Sequence, residues 1–343
     1  MSTSLLHHEI HLQQQAVWGT KSPLRTYIIY FITGNPGLIG YYRNFLTHLY
    51  GLLSTDTIRV HIYGRSLSGF EVDPVKATKH APPYSLEDQI LHSTIALEEQ
   101  VRKIQEEDSS QDTRVILMGH SVGAYILLEV TRRMMIKAKA QGGVGVRVVG
   151  GICLFPTITH IAKSSSGRKS SWFLTIRHFA FLASLFVRLL TFPIPIAILA
   201  FLIRAFMRFP ADAARVTAAF VKSRNGVQQA LHMARDEMLE ITTDNWSEEI
   251  WSAADSQSGP ILRFLFAKSD HWVADETRDE LIAARAANPG NSGRIKDEDG
   301  DGRPIMEIDE LEGWPHGFCL KHSIPVAEHV AGYVKTVFEK DSK

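Results

Sequence analysis

The pattern of apolar and polar positions predicts strands and helices in turn over the first part of the chain. Short apolar runs rich in β-branched and aromatic residues are typical of buried strands, and they span 26–34, 58–64, 114–118 and 147–155. Segments with helical spacing separate them and span 41–53, 85–104 and 122–138. Strict alternation of this kind indicates a parallel sheet with helices on both faces, and therefore an α/β fold.

The clearest helix is 85–104, which has a start signal as well as an apolar stripe. Ser85 and Asp88 have the spacing of a capping box, with Asp in place of the usual Glu or Gln. The alternation stops after Pro156 and resumes late in the chain. There the pattern predicts strands at 260–270 and 305–311 and a last helix at 324–340.

We therefore expect one α/β domain interrupted by an insertion. Residues 1–156 and 259–343 would form the domain, and 157–258 would form a helical insertion that opens with the Ser, Gly and Lys/Arg-rich linker "KSSSGRKSS". Size is compatible with this division because 343 residues can bury a large core.

The insertion contains a long apolar block at 172–209. A helix needs about twenty predominantly apolar residues to cross a bilayer, but this block is divided by Arg177, Arg188 and Arg204 and broken by Pro193 and Pro195. The pattern favours two short helices that meet at the prolines and lie on a lipid surface or in one leaflet. The alternative is a lid whose apolar face packs over the active site, and both can hold if the lid is the part that docks.

Charge strengthens the lipid interpretation. The net charge is zero overall, which gives no indication of a nucleic-acid partner. However, no Asp or Glu occurs from Val130 to Ala211, whereas Lys and Arg recur there, so this part of the chain suits an anionic surface such as a phospholipid membrane. Cys153 and Cys319 both lie in apolar runs and are expected to be buried, reduced thiols, and the N-terminus has no secretory-signal pattern.

The motif with chemical meaning is "GHSVG", Gly119 to Gly123. It matches the nucleophile elbow, in which a serine is held on a tight strand-to-helix turn and the glycines leave room for the neighbouring strand and helix. Ser121 is then the candidate nucleophile, and the backbone N–H of Val122 points toward the developing oxyanion. The alternative is that Ser121 is an ordinary helix cap.

The general base must come from later in the chain. His120 adjoins the serine on so tight a turn that its ring cannot easily reach the hydroxyl, and in this fold the triad order is Ser, Asp or Glu, then His. Asp270 ends an apolar strand and is the expected acid, with Asp275 as the fallback, and the loop "GWPHGF" supplies His316 as the expected base. His271 and His322 are the competing histidines.

A second oxyanion donor is expected in "TGNPG", the loop after the first strand. Pro36 has no N–H, so Gly34, Asn35 and Gly37 are the candidates, and Asn35 corresponds to the residue after the glycine in H-G-x-P esterase loops. Two other patterns are decoys. The acidic run "DEDGDG" at 297–302 lacks the glutamate and flanking helices of a calcium loop, and "GNPGLIG" is not a dinucleotide fingerprint.

The chain resembles the lipid droplet-associated hydrolase family of the α/β-hydrolases. The resemblance rests on "GNPGLIGYY", "GHSVGAY", "LFPTI" followed by "SGR", the apolar insertion, and "PHGF". It implies an α/β-hydrolase fold in which Ser121 is the nucleophile, Asp270 the acid and His316 the base, and hydrolysis of neutral lipids such as sterol esters or acylglycerols. It also implies association with lipid droplets and the endoplasmic reticulum, on the cytosolic face, and no cofactor or metal.

Two other functions stay open on the sequence. A lipid-surface protein could use this fold to organise droplets with weak or no turnover, and the same triad could transfer an acyl group to an alcohol instead of water.

Overall fold

A seven-stranded sheet lies at the centre of the computed structural model, which describes residues 6–13, 25–55, 58–72, 81–108, 112–143, 145–251, 259–287 and 302–342. Its strands are β1 (Glu9–Gln13), β2 (Thr26–Ile32), β3 (Arg59–Arg65), β4 (Thr113–His120), β5 (Arg147–Leu154), β6 (Ile261–Ala267) and β7 (Ile305–Asp309). Their order across the sheet is β1-β3-β2-β4-β5-β6-β7. Only β1 is antiparallel to its neighbour, and the other five pairings are parallel.

Helices cover both faces of this sheet. Those before β5 and after β6 are α1 (Arg43–Leu53), α2 (Leu86–Asp108), α3 (Val122–Ala140), α10 (Asp275–Arg285), α11 (Phe318–Lys321) and α12 (Ser323–Asp341). Those between β5 and β6 are α4 (Ser165–Leu174), α5 (Phe179–Thr191), α6 (Ile196–Met207), α7 (Ala211–Lys222), α8 (Gly226–Glu240) and α9 (Glu248–Trp251). Side chains of α1 and α12 form the core on one face, and those of α2 and α3 form the core on the other.

Local sequence explains where several of these elements begin. At α2 the predicted capping box is formed, because the Asp88 N–H donates to Ser85 Oγ and the Ser85 N–H donates to the Asp88 carboxylate. The central strand β4 is buried along its whole length, as expected for an apolar strand with neighbours on both sides.

Two elements differ from the sequence predictions. The strand β1 was not predicted, because its five residues bury only Ile10 and its place in the sheet comes from pairing with β3. The predicted linker after Ser164 is instead helix α4, since the Ser164 side chain accepts the N–H of Gly167 as an N-cap. The acidic run predicted to be a decoy, 297–302, lies outside the described residues except for Gly302.

Helices α5 and α6 follow each other in the chain, and their large apolar side chains point outward. On α5 the buried residues are Ser184 and Thr191, whereas the exposed large side chains are Phe181, Leu182, Leu185, Phe186, Leu189 and Leu190. In α6, Leu199 and Ile203 pack on Ala214 and Ala218 of α7, and Ile196, Ile198, Phe201, Phe206 and Met207 are exposed. We call these eleven exposed side chains the apolar face.

Neither α5 nor α6 is a membrane span by itself. Among the described residues, no single helix is long and apolar enough to cross a bilayer, although α4 and α5 taken together pass that test with a bend of 95° between them.

Candidate active site

The four loops predicted to carry the site meet at one edge of the sheet. Since parallel strands have their carboxyl ends at the same edge, the residues after β2, β4, β6 and β7 are brought together there. These loops contain Asn35, Ser121, Asp270 and His316.

Ser121 has the strained backbone of a nucleophile elbow. Its φ is 55° and its ψ is −125°, in a region that residues with a side chain rarely occupy. The flanking glycines make the turn possible, because a Cβ on Gly119 would lie 2.3 Å from the Gly123 carbonyl oxygen and one on Gly123 would lie 2.4 Å from the Ile32 carbonyl oxygen. Val122 is the first residue of α3, so its N–H has no acceptor within the helix.

A row of hydrogen bonds connects the serine to a histidine and a carboxylate. The distance from Ser121 Oγ to His316 Nε2 is 2.9 Å, and from His316 Nδ1 to Asp270 Oδ2 it is 2.7 Å. Ser121 is only 7% exposed, and the Asp270 side chain is 4% exposed. This geometry allows proton transfer from the hydroxyl to the imidazole, with the carboxylate orienting the ring.

The charge state of Asp270 suits that arrangement. Burial raises the pKa of the Asp270 carboxyl, but the hydrogen bond and charge of His316 and the Trp272 N–H, 2.8 Å from Asp270 Oδ1, outweigh burial and leave the pKa below its ordinary value. Asp270 is therefore ionised at neutral pH.

The alternative residues are directed elsewhere. Asp275 begins α10 and pairs with Arg278. The exposed His271 lies against α4, where its carbonyl accepts the N–H of Ser166, and His322 is the N-cap residue of α12. The ring of His120 is buried and hydrogen-bonds to Tyr42 and to the backbone oxygen of His316.

The loop after β2 lies directly on the elbow. A Cβ on Gly34 would be 2.9 Å from His120 Nδ1 and 3.0 Å from Ser121 Cβ. The Gly34 N–H donates to Tyr42 Oη, so Asn35 and Gly37 are the remaining oxyanion candidates of this loop. The Asn35 side chain donates to the Ala230 carbonyl at 3.0 Å and to Glu237 Oε1 at 2.9 Å.

Glu237 and Tyr42 are site neighbours that sequence reasoning missed. Burial raises the pKa of Glu237 to about 8 despite the Asn35 hydrogen bond, so a neutral carboxyl of the insertion faces the loop after β2. No sequence signal marks it, because it lies in an ordinary helical segment. Within the described part of the chain, no cluster of three or more His, Cys, Asp or Glu side chains could hold a metal ion.

The fold defines the class of protein. The structure is similar to juvenile hormone epoxide hydrolase from the silkworm Bombyx mori, with a TM-score of 0.54 and 10% identity over 96% of this chain and 73% of that chain. It is also similar to the peroxisomal α/β-hydrolase Lpx1 from Saccharomyces cerevisiae, with a TM-score of 0.54 and 9% identity over 94% and 80% of the two chains. The predicted α/β-hydrolase fold is thereby confirmed.

Sequence comparison identifies the family within that class. The family model described as lipid-droplet associated hydrolase matches residues 25–319, and the chain belongs to this family. Relatives named lipid droplet-associated hydrolase include those of Gallus gallus, 27% identical over 73% of this chain and 72% of the relative, and of Drosophila melanogaster, 23% identical over 92% of each.

Proposed function

We propose that this protein is a serine hydrolase that cleaves ester bonds of neutral lipids, with sterol esters or acylglycerols as the substrate class. The observation that carries the proposal is the pair of short hydrogen bonds that connect Ser121 to His316 and His316 to Asp270. Membership of a family named for hydrolases at lipid droplets supports a lipid substrate.

In the proposed mechanism, Ser121 Oγ attacks the ester carbonyl carbon while His316 Nε2 takes the hydroxyl proton. Asp270 holds the imidazole tautomer and stabilises the imidazolium. The backbone N–H groups of Val122 and Asn35 stabilise the oxyanion. The imidazolium protonates the leaving alcohol, and water, deprotonated by His316, releases the acid from the acyl-enzyme.

We further propose that the protein acts on lipid droplets and on the cytosolic face of the endoplasmic reticulum membrane, and that the apolar face is what docks. Side chains this large normally face a core, yet on α5 they face outward and the polar Ser184 and Thr191 face inward. Large exposed apolar side chains on two consecutive helices suit a lipid surface. The exposed Arg177, Arg188, Arg204 and Arg208 suit anionic headgroups.

The nucleophile is tested with a fluorophosphonate probe on the full-length protein. We expect covalent labelling of the native protein and none of Ser121→Ala. Ser170→Ala is a matched control, since this serine of α4 bonds only a backbone carbonyl of its own helix, and it should label like the native protein. An unlabelled native protein, or equal labelling of Ser121→Ala, would refute the assignment.

The substrate class is tested with emulsions of cholesteryl oleate and trioleoylglycerol in separate assays. We expect release of oleate from at least one of them, abolished by Ser121→Ala. Release only from short water-soluble esters would contradict a neutral-lipid substrate.

A second candidate function is favoured by one observation, the near-complete burial of Ser121 in a protein that also has a large exposed apolar face. The protein could act at droplet surfaces mainly through this face, with little turnover. Expression of Ser121→Ala separates the two, because a droplet phenotype equal to that of the native protein would favour the organising role. Acyl transfer would share the acyl-enzyme and would appear as ester formation when an alcohol is added.

A further inference from the structure

A chain of buried hydrogen bonds joins the two loops on either side of the nucleophile. The Gly34 N–H lies 3.2 Å from Tyr42 Oη, Tyr42 Oη lies 2.7 Å from His120 Nδ1, and His120 Nε2 lies 2.8 Å from the His316 carbonyl oxygen. Tyr42 is 2% exposed and His120 is 5% exposed, so water competes little for these bonds.

The donors and acceptors of this chain can be assigned from chemistry alone. A carbonyl only accepts, so His120 Nε2 carries the proton and donates it to the His316 oxygen. Burial, with a further contribution from the nearby His316 ring, lowers the pKa of His120 to about 3. The ring is therefore neutral near pH 7, its Nδ1 accepts, and the Tyr42 hydroxyl must donate to it while accepting the Gly34 N–H.

We propose that His120 and Tyr42 are positioning residues, which hold the backbone of the base His316 and the loop of the oxyanion donor at fixed distances from Ser121. The inference deepens the proposed hydrolase function and rests on it. Neither side chain touches the reacting atoms. The imidazole of His120 has its ring centroid 5.1 Å from that of His316; its Nε2 bonds the His316 carbonyl directly, and its Nδ1 is connected to the Gly34 loop through the Tyr42 hydroxyl.

The packing around this chain of hydrogen bonds leaves its side chains little freedom to move. No side chain fits between Gly34 and the elbow, because a Cβ on Gly34 would lie 2.9 Å from His120 Nδ1. Phe155 and Phe318 have ring centroids 6.2 and 5.2 Å from that of His120. A fixed His120 ring therefore transmits its position directly to the His316 carbonyl.

Two substitutions of His120 distinguish the roles of its two ring nitrogens. A Gln amide nitrogen reaches about as far as Nε2, whereas an Asn amide reaches only as far as Nδ1. Because a misplacement of about 1 Å can cost roughly 100-fold in rate, we expect His120→Asn to lower kcat by about that factor with little change in KM. His120→Gln should recover most of the loss because it restores the donor to His316.

Tyr42→Phe is the smallest test, since it removes one oxygen and leaves the ring packed. We expect kcat and the rate of fluorophosphonate labelling to fall roughly 10- to 100-fold. The matched control is Tyr41→Phe, whose hydroxyl bonds Thr217 of α7 at 2.8 Å and which should react at the native rate. Nitrogen NMR of the His120 ring should show the Nε2–H tautomer in the native protein and in Tyr42→Phe, because the His316 carbonyl selects it in both, with the Nδ1 resonance shifted in the variant because Nδ1 loses the Tyr42 hydrogen bond.

The outcomes distinguish the two proposals. If the native protein does not react with the probe, the proposed hydrolase function is wrong. The chain of hydrogen bonds is then tested by the tautomer of the His120 ring alone. An Nδ1–H tautomer in the native protein would contradict it. If the native protein reacts and His120→Asn and Tyr42→Phe react as fast as Tyr41→Phe, the positioning role is wrong. A loss in Tyr42→Phe with equal loss in His120→Gln and His120→Asn would also contradict it.

Discussion

At the scale of single residues, the site depends on two carboxyl groups in opposite protonation states. Asp270 is kept ionised by His316, whereas burial keeps Glu237 neutral around neutral pH. Each state gives a prediction that can be measured separately.

Replacing Asp270 by Asn should remove the acceptor that selects the His316 tautomer while leaving the side-chain volume unchanged. We expect kcat to fall by roughly 10⁴-fold, as when a triad aspartate is replaced by asparagine, in a variant that still folds. The measurement is the turnover of a water-soluble ester. Asp275→Asn is the control, because that exposed carboxylate pairs with Arg278, and a comparable loss in this variant would reassign the acid.

Glu237 should make the folded chain less stable as pH rises. Burial raises its pKa from 4.5 to about 8, so between these values the folded state holds a proton that the unfolded state lacks. The free energy of unfolding then falls with increasing pH by at most about 1.4 kcal/mol per pH unit, and the contribution of Glu237 is fully present only below pH 4.5.

Glu237→Gln cannot ionise and can still accept the Asn35 hydrogen bond, so it should remove this pH dependence. Urea unfolding at pH 5 and pH 8 should give a variant that is more stable than the native protein at pH 8 by about 1 to 3 kcal/mol. Glu280→Gln, an exposed carboxyl on α10, should behave like the native protein. An equal pH dependence in Glu237→Gln and native protein would show that Glu237 is already charged.

At the scale of elements, helices α5 and α6 differ most from ordinary core helices, because their large apolar side chains are exposed. Replacing Phe181, Phe186, Leu189 and Leu190 by Ser should abolish binding to lipid-coated droplets in a flotation assay. Burying each such side chain contributes about 1.5 kcal/mol or more, so partitioning should weaken by at least about 10⁴-fold, whereas hydrolysis of a water-soluble ester should not change. Ile136→Ser, at an exposed position of α3, is the control, and undiminished flotation of the fourfold variant would exclude this face.

Lys222, at the end of α7, bonds the turn between α5 and α6. Its ammonium donates to the carbonyls of Thr191 at 2.7 Å and Ile194 at 2.8 Å, which lie at the end of α5 and in the turn that follows. Lys222→Met leaves both carbonyls without this donor, so we expect faster chymotrypsin cleavage near Phe192 and weaker flotation, with a native rate of probe labelling. Lys169→Met, at an exposed position of α4, should change neither.

The elements also show how far sequence reasoning reaches. Buried parallel strands have an apolar composition of their own, so six of the seven strands were predicted within a few residues, whereas β1 exists because β3 offers an edge. Ser121 was recognisable from its glycines, and chain order together with the family resemblance indicated Asp270 and His316. Glu237 and Tyr42 could not be found in this way, because their role depends on which elements pack over the elbow.

At the scale of the whole molecule, the edges of the sheet formed by the carboxyl ends and by the amino ends of the parallel strands have different roles. The carboxyl edge holds the candidate site, and at the opposite edge Asp341 of α12 contacts residues at the starts of β2, β4 and β5. Its carboxylate, in a side chain 4% exposed, accepts a hydrogen bond from Tyr27 and lies within 3.4 to 3.6 Å of Arg25, Arg114 and Arg147. Stability and chemistry should therefore respond to different substitutions.

Asp341→Asn should lower the free energy of unfolding by about 2 kcal/mol, the order expected when a charged acceptor of several donors is neutralised. The rate of ester hydrolysis should stay native, because the site is at the other edge. Glu339→Gln, on an exposed position of the same helix, should change neither quantity. A loss of rate without a loss of stability in Asp341→Asn would contradict this division.

The position of the segment α5–α6 in the chain determines what has been synthesised when it leaves the ribosome. Ser121 precedes it, whereas Asp270 and His316 follow it, and the serine and the histidine are 195 residues apart. Because translation proceeds from the N-terminus, the apolar face leaves the ribosome before either partner of the nucleophile has been made. Under the proposed mechanism, a lipid surface that captured the growing chain would receive an inert protein, and hydrolysis would begin only after the last strand and its loop are in place.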